Sequence, residues 1–426
     1  MASVRVLFVE ERYNKHSVAA LAGAMEAAED AGWLAVGFLK TASLPWALLP
    51  LAGWPERLVL AYSFHTLNVP AVARQVETIR AFAAKHGVEF LLLAGGPHAS
   101  GDPAGTLALG FDVVIRGEGE AALGAFLQAV AEERPWTEVP QLVWREQAGP
   151  ESGGAASGSP AVDLDRYPPF AARHRRFAPI EISRGCPWAC RFCQTTFFLG
   201  GRMRHRSVDS VLHHAGVMRS LGPRELRFVS PNAFAYGSPD GHSPNPAWVE
   251  RLLVESGRLF GRGHLYFGSF PSEVRPETVT PELAGMVRRL ARNTNIVIGS
   301  QSGSDRLLEQ IHRGHTVADV VRAVKIITRE GLLPIVDFIL GLPGETPEDR
   351  RETLALMERL VGLGAQVHSH AFMPLPGTPY GGALPAAIDE ETRRFMLRLD
   401  GTGRQIGKWR EQAERARDVA RFLEES

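Results

Sequence analysis

Short apolar runs alternate with segments of helical period along nearly the whole chain, and this alternation limits the possible folds more than any other feature. In the first part the runs are VRVLFVE (Val4 to Glu10), WLAVGFL (Trp33 to Leu39), RLVLAYS (Arg57 to Ser63), EFLLLAGG (Glu89 to Gly96) and FDVVIRG (Phe111 to Gly117). Each is continuously apolar at its centre, as a strand buried on both faces is. Between them lie SVAALAGAMEAAEDAG (Ser17 to Gly32) and VPAVARQVETIRAFAAKHG (Val69 to Gly87), the first read as opening on a serine cap and both as closing on glycine. Strand, helix, strand in repetition specifies a parallel sheet with helices on both faces. This is a doubly wound, Rossmann-like α/β fold whose ligand site lies beyond the carboxyl ends of the strands.

The alternation is interrupted by QAGPESGGAASGSPAV, Gln147 to Val162, a run of small residues with almost nothing to bury, which reads as a flexible linker. Beyond it the pattern resumes with PIEIS (Pro179 to Ser183), ELRFVS (Glu225 to Ser230), HLYFGSF (His264 to Phe270), TNIVIGS (Thr294 to Ser300), LPIVDFIL (Leu333 to Leu340) and QVHSHAFM (Gln366 to Met373). Six strands with crossover helices suit a partial (β/α)6 barrel. The tail, TGRQIGKWREQAERARDVARFLEES, reads as a charged helix with Trp409, Ala413, Ala416, Val419 and Phe422 as a docking stripe. The expected organisation is a doubly wound domain over 1–146, a linker over 147–162, a partial barrel over 163–381 and a C-terminal helical extension over 382–426.

Charge excludes some partners. Lys and Arg number 47 against 47 Asp and Glu, so nothing draws the chain generally to nucleic acid or anionic lipid. The opening MASVRVLFVE lacks the basic and apolar regions of a signal peptide, and no apolar run approaches the length of a membrane span. A cytoplasmic protein is expected.

All three cysteines fall in SRGCPWACRFCQTTFF, at Cys186, Cys190 and Cys193, on one turn-rich loop directly after the first barrel strand. Loops in that position build the active sites of such barrels. Three clustered thiols cannot form a disulfide framework. Thiolates are soft ligands that select zinc, copper(I) or iron–sulfur clusters. Structural zinc wants four protein ligands, and the nearest additional donors, His205 and His213, lie on a later loop and helix. A cubane cluster on three cysteines would instead leave one iron open for chemistry.

CPWACRFC resembles the C-x-x-x-C-x-Φ-C signature of the radical S-adenosylmethionine (radical SAM) enzymes, with Phe192 at the aromatic position. Three further stretches resemble that family: NIVIGSQSGSDRLLEQIHRGHT, VDFILGLPGETPEDRRETL and HAFMPLPGTPYG. The resemblance implies a [4Fe-4S] cluster on Cys186, Cys190 and Cys193, with S-adenosyl-L-methionine chelating the fourth iron. Reductive cleavage would then give a 5′-deoxyadenosyl radical, fed by an electron donor such as flavodoxin or ferredoxin. Beside Phe192, it implies Ser230, Asn232, Glu273, Gln301, Ser302 and Gly341 as SAM-binding candidates. VSPNAFAYG stands where the family often has a glycine-rich acidic segment that meets the substrate amine. Arg313 is a further candidate, for the methionine carboxylate or as a helix cap, and RMRHRS (Arg202 to Ser207) reads as a solvated basic loop.

The first domain ends in LLLAGGPHASGDPAGTLALGFDVVIRGEGEAAL, which resembles the cobalamin-binding domain fused in front of many radical SAM enzymes. That resemblance implies Ser63, His65, Gly95, Gly96, His98, Gly117 and Glu118 as cobalamin-binding candidates. The D-x-H-x-x-G string by which many cobalamin proteins supply a cobalt ligand does not occur. Together the resemblances imply cobalamin-dependent methyl transfer to an unactivated carbon, or phosphorus, of a small or peptidic substrate. The alternatives are radical rearrangement, oxidation or bond formation without methyl transfer, and an iron–sulfur redox sensor acting as an interaction module. A transfer-RNA methylthiotransferase is a weaker comparison, because such enzymes carry extra N-terminal cysteines and a basic C-terminal domain.

Overall fold

The computed structural model describes residues 3–43, 46, 47, 57–145 and 161–425. The proposed linker lies almost wholly outside the described residues. The first sheet has six strands: β1 (Val4–Glu10), β2 (Leu34–Lys40), β3 (Arg57–Ser63), β4 (Leu91–Gly95), β5 (Val113–Ile115) and β6 (Leu142–Trp144). Their order is β2-β1-β3-β4-β5-β6, parallel except for the antiparallel edge strand β6. The first five follow one of the two common doubly wound orders, with its switch point between β1 and β3. One apolar cluster fills each face of the sheet: Leu60, Val72, Ile79 and Leu92 on one side, Val6, Val59, Phe126 and Leu127 on the other.

Ser17 does not cap its helix. The helix spans Lys15–Asp30 with Asn14 at its start, and the Ser17 hydroxyl lies in the first turn, bonded to the Asn14 carbonyl at 3.0 Å and to the Ser63 hydroxyl at 2.9 Å. The second helix, Val69–His86, does end on glycine: Gly87 sits at φ +65°, the left-handed conformation that only glycine adopts without cost.

In the second half a wall of strands curves around one large core. It begins with β7 (Ile180–Glu181) and continues through β8 (Ser183–Arg184), which pairs with β9 (Arg204–His205). Next come β10 (Phe228–Val229), parallel to β7, then β11 (Asn295–Gln301), β12 (Leu333–Leu340), β13 (Gln366–Ala371) and β14 (Gln405–Ile406), the last four forming one parallel sheet. The expected third barrel strand, His264 to Phe270, is not a regular strand. Leu265 bridges Leu226, and the chain then leaves the wall over Ser269–Glu273 before Val274 rejoins it opposite Ile298. A five-residue excursion therefore stands where a straight strand was expected.

The tail also departs from expectation. A helix spans Glu390–Gly401, and β14 adds a strand beside β13 before the terminal helix Trp409–Glu425 begins. Of the expected docking stripe, Trp409, Ala416 and Val419 are buried, and Phe422 reaches the apolar cluster of the first domain. The terminal helix thus spans both halves.

The basic stretch Arg202–Ser207 is not a solvated loop. Arg206 is buried and donates to the Tyr167 and Glu181 carbonyls, while Arg204 forks onto Glu118 at 2.6 and 3.0 Å. Glu118 and Glu120 of the first domain also receive Arg184 of the barrel, at 2.8 and 2.6 Å. A buried charge network therefore joins the halves. No helix among the described residues is long and apolar enough to cross a membrane.

Candidate functional site

The cysteine loop is held from several sides. The Cys186 N–H donates to the Gly200 carbonyl at 3.1 Å, the Arg191 N–H to the Ile311 carbonyl at 3.1 Å, and the Thr196 hydroxyl to the Cys186 carbonyl at 2.7 Å. Gly185, at φ +86°, lies so close to the Arg202 carbonyl that a Cβ would come within 2.3 Å of that oxygen. Trp188 packs over Gly314, which also has positive φ (+70°), with the Arg275 guanidinium 3.9 Å from its ring centroid. The loop is a shaped platform whose conformation depends on two glycines.

Cys190 is buried, and Cys186 and Cys193 are half-buried. Burial pushes the Cys186 and Cys193 thiols above their ordinary range, and nearby thiols add to the effect; the Thr195 side chain, 3.3 Å from Cys193, opposes it. Arg313 reaches Cys190 at 3.6 Å and the Gly299 carbonyl at 2.7 Å, so it neither caps a helix nor faces solvent. Two thiols that burial disfavours as bare anions, and a third beside an arginine, suit a cation-rich group that neutralises thiolate charge. A [4Fe-4S] cluster fits this donor set.

A cavity of about 590 Å³ lies between the two halves. On one side it is lined by Phe192, Cys193, Gln194 and Thr195; on the other by Ser63, Gly95, Gly96, Gly117 and Glu118. The candidates from two separate motifs therefore meet on one surface. Gly96 is at φ +88°, and a Cβ there would come 2.7 Å from the Ser63 hydroxyl, so the loop after β4 lies against the one after β3. The Gly117 N–H donates to the Ser100 hydroxyl at 2.9 Å. This glycine-lined floor at the carboxyl ends of β3, β4 and β5 leaves room for a large planar ligand such as a corrin.

Other candidates stand elsewhere. His98 packs behind the cavity against Phe64, with Nδ1 3.2 Å from the Thr66 hydroxyl; burial pushes its pKa down to about 4, so it is neutral. His65 rests edge-on to Tyr13, ring centroids 6.2 Å apart, and does not line the cavity. Glu118 lines the cavity, but its carboxylate is committed to Arg184 and Arg204.

Among the SAM-binding candidates, Phe192 lines the interdomain cavity and Glu273 lines a second cavity inside the barrel. Ser230 and Asn232 are buried at the end of β10, where the Asn232 oxygen accepts from the Arg275 N–H at 3.2 Å and its Nδ2 has no partner among the described residues. Gln301 ends β11 at φ +75°. Ser302 faces the Thr353 hydroxyl at 3.2 Å, and Gly341, at φ +78°, accepts from the Ala386 N–H at 3.0 Å; both are occupied by neighbouring chain.

Two features escaped the sequence reading. Gln194 donates to the Pro97 carbonyl at 3.2 Å and to the Pro376 carbonyl at 2.9 Å, pinning the cysteine loop to both halves. Asp337, His368 and His370 bring their ligand atoms within 4.8 Å of one another. The signal for the histidines was present in HSH, since alternate strand residues share a face.

Residues 180–357 match the family model of the Radical SAM superfamily. A tRNA-2-methylthio-N(6)-dimethylallyladenosine synthase of Pelobacter propionicus is 29% identical over 219 residues, 50% of this chain and 47% of that protein. An uncharacterized protein of Methanopyrus kandleri is 24% identical over 373 residues, 74% of this chain and 66% of its own. The chain spans about half the length of the curated synthases it matches. Among solved structures, the radical S-adenosylmethionine methyltransferase TsrM of Kitasatospora setae, with cobalamin and a [4Fe-4S] cluster bound, superposes with a TM-score of 0.67 at 18% identity, over 89% of this chain and 77% of that one. The cobalamin-dependent S-adenosylmethionine radical enzyme OxsB, with aqua-cobalamin and S-adenosylmethionine bound, superposes at 0.64 and 14% identity, over 95% and 56%. At those identities the likeness is one of fold. With its three-cysteine loop at the mouth of a partial barrel and a doubly wound domain facing it, the chain carries a radical SAM domain over residues 180–357, and its two-domain fold is the one seen in the structures of TsrM and OxsB.

Proposed function

We propose that the protein is a cobalamin-dependent radical SAM methyltransferase acting on an unactivated carbon, or phosphorus, of a small or peptidic substrate. The observation that carries this reading is the shared cavity, whose wall on one side is the cysteine loop and on the other the glycine floor of the doubly wound domain. A cluster, S-adenosyl-L-methionine and cobalamin together supply reductive cleavage to a 5′-deoxyadenosyl radical and a transferable methyl group.

The protein's own part is placement. Cys186, Cys190 and Cys193 would hold the cluster, with Arg313 beside Cys190 offsetting thiolate charge. Asn232 would offer its unpartnered buried Nδ2 to S-adenosyl-L-methionine. Ser63, Gly95, Gly96 and Gly117 would let backbone approach the corrin. The apolar walls given by Phe8, Leu93, Ile115 and Phe198 exclude water from a reactive radical.

Anaerobic reconstitution with iron, sulfide and hydroxocobalamin, followed by product analysis with S-adenosyl-L-methionine and reductant, tests the reading. Iron and corrin are both retained if it is right. S-adenosylhomocysteine together with 5′-deoxyadenosine supports methyl transfer; 5′-deoxyadenosine alone with substrate consumed favours rearrangement, oxidation or bond formation. Full iron content and turnover in Cys190→Ala would refute the cluster assignment.

A further inference from the structure

The second cavity, about 830 Å³, lies within the barrel. Its wall includes Val297 of β11, Ile335 and Asp337 of β12, and His368 and His370 of β13, alternate residues whose side chains share the concave face. The excursion Ser269–Glu273 closes another side, and Glu273 presents its carboxylate to the open space. A chain of polar groups leads from the cysteine loop to this floor: Arg313 touches Cys190 and the Gly299 carbonyl, and a Cβ on Gly299 would lie 3.2 Å from the Glu273 carboxylate.

Asp337 is 3% exposed, and its carboxylate accepts from His368 Nδ1 at 2.7 Å. His370 faces Gln412 of the terminal helix at 3.4 Å.

Asp337 and His368 pair with each other, and His370 brings a second imidazole to the same spot, with the three ligand atoms within 4.8 Å of one another. One carboxylate oxygen and two imidazole nitrogens form a borderline donor set that prefers first-row transition ions and zinc to magnesium or calcium. Three protein ligands with open space on the fourth side is the arrangement of zinc sites that keep an exchangeable position.

We propose that Asp337, His368 and His370 form a binding site for a divalent transition ion of the zinc class on the barrel floor, separate from the cysteine loop. Binding would replace the His368–Asp337 hydrogen bond by two bonds to the ion. The proposal does not depend on the assignment of the cysteines.

Two forms of the full-length protein test it: the reconstituted holoenzyme, and a variant carrying Cys186→Ala, Cys190→Ala and Cys193→Ala, in which thiols cannot bind metal. Each is freed of loose metal, dialysed against Zn²⁺ and analysed for zinc, then titrated with Co²⁺ while the visible ligand-field absorption is followed. The expected result is one zinc ion per chain in both forms and a one-to-one Co²⁺ end point. His370→Ala and the near-isosteric His370→Gln should each weaken Zn²⁺ binding by more than the ~10–100-fold typical of losing an outer-shell partner. His213→Ala, on the surface, should leave binding unchanged. Failure of the cysteine-free form to bind zinc, or unchanged affinity in folded His370→Gln, would overturn the proposal.

Discussion

Arg184 should be the most costly side chain to remove from the interface between the halves. It is 10% exposed and makes four charge-assisted contacts: 2.8 Å to Glu118, 2.6 Å to Glu120, and 3.0 and 2.6 Å to Glu181. Its three partners differ in what they retain once it is gone. Glu118 keeps Arg204, and Glu181 is 27% exposed and can recruit water. Glu120 is only 7% exposed, and among the described residues Arg184 is its one side-chain partner at hydrogen-bonding distance. Burial by itself would raise the Glu120 pKa, but Arg184 outweighs it and holds the acid below its ordinary range. Arg184→Met therefore strands a buried carboxylate, a change that costs about 3–5 kcal/mol. Glu120→Gln removes one charged hydrogen bond and leaves Arg184 two acids, costing about 1.5–3 kcal/mol. The double variant removes the stranded charge as well, so it should be more stable than Arg184→Met alone by about 1–3 kcal/mol. Urea unfolding of the apo chain, followed by circular dichroism and tryptophan fluorescence, gives the cycle. If Arg184→Met loses less than about 1 kcal/mol, or the double variant is no more stable than Arg184→Met, then solvent or another cation pairs with Glu120 and the reasoning fails.

Gly314→Ala places a methyl group 1.9 Å from the Trp188 ring at φ +70°, and should cost about 2–4 kcal/mol and lower iron retention on reconstitution, read by melting and iron analysis. Glu345 has its acid pushed up to about 7 by burial, only partly opposed by Arg350. Folding thus favours its protonated form, and stability from this group is lost as pH rises from the unfolded value near ~4.3 through about 7. Glu345→Gln should consequently match the parent at pH ~4 and exceed it by on the order of 1–3 kcal/mol at pH ~8; a difference that does not grow with pH would contradict the sign. Gln194→Ala should leave iron binding intact while raising susceptibility to proteolysis between the halves, measured as cleavage rate under native conditions.

Legibility in the sequence followed the length and continuity of each signal. LPIVDFIL, eight unbroken residues, became β12 from Leu333 to Leu340 as read. HLYFGSF looked equally strand-like, but nothing local shows that Ser272 would donate to the Phe228 carbonyl at 2.7 Å and draw the chain out of the wall. Gln405–Ile406 is too short to show a period, and its pairing with β13 is a tertiary event. Ser17 resembled a cap because caps favour serine, yet its hydroxyl is used by Ser63, 46 residues away. Arg204 read as solvated for the same reason: its acceptor, Glu118, is 86 residues distant. The cysteine loop was legible because its three thiols lie within eight residues of sequence. The Asp337, His368 and His370 group, drawn from two strands, was not.

The small-residue run between the halves marks where evolution could cut and rejoin the gene, yet the interface limits that exchange. Gly101 lies so near the Pro376 carbonyl that a Cβ would come within 2.2 Å of it, and Gln194 needs the Pro97 carbonyl in place. A foreign first domain grafted onto this barrel would have to bring a glycine and a correctly aimed carbonyl to the same spot. The two halves are separable modules in sequence, and can be inherited successfully only as a matched pair.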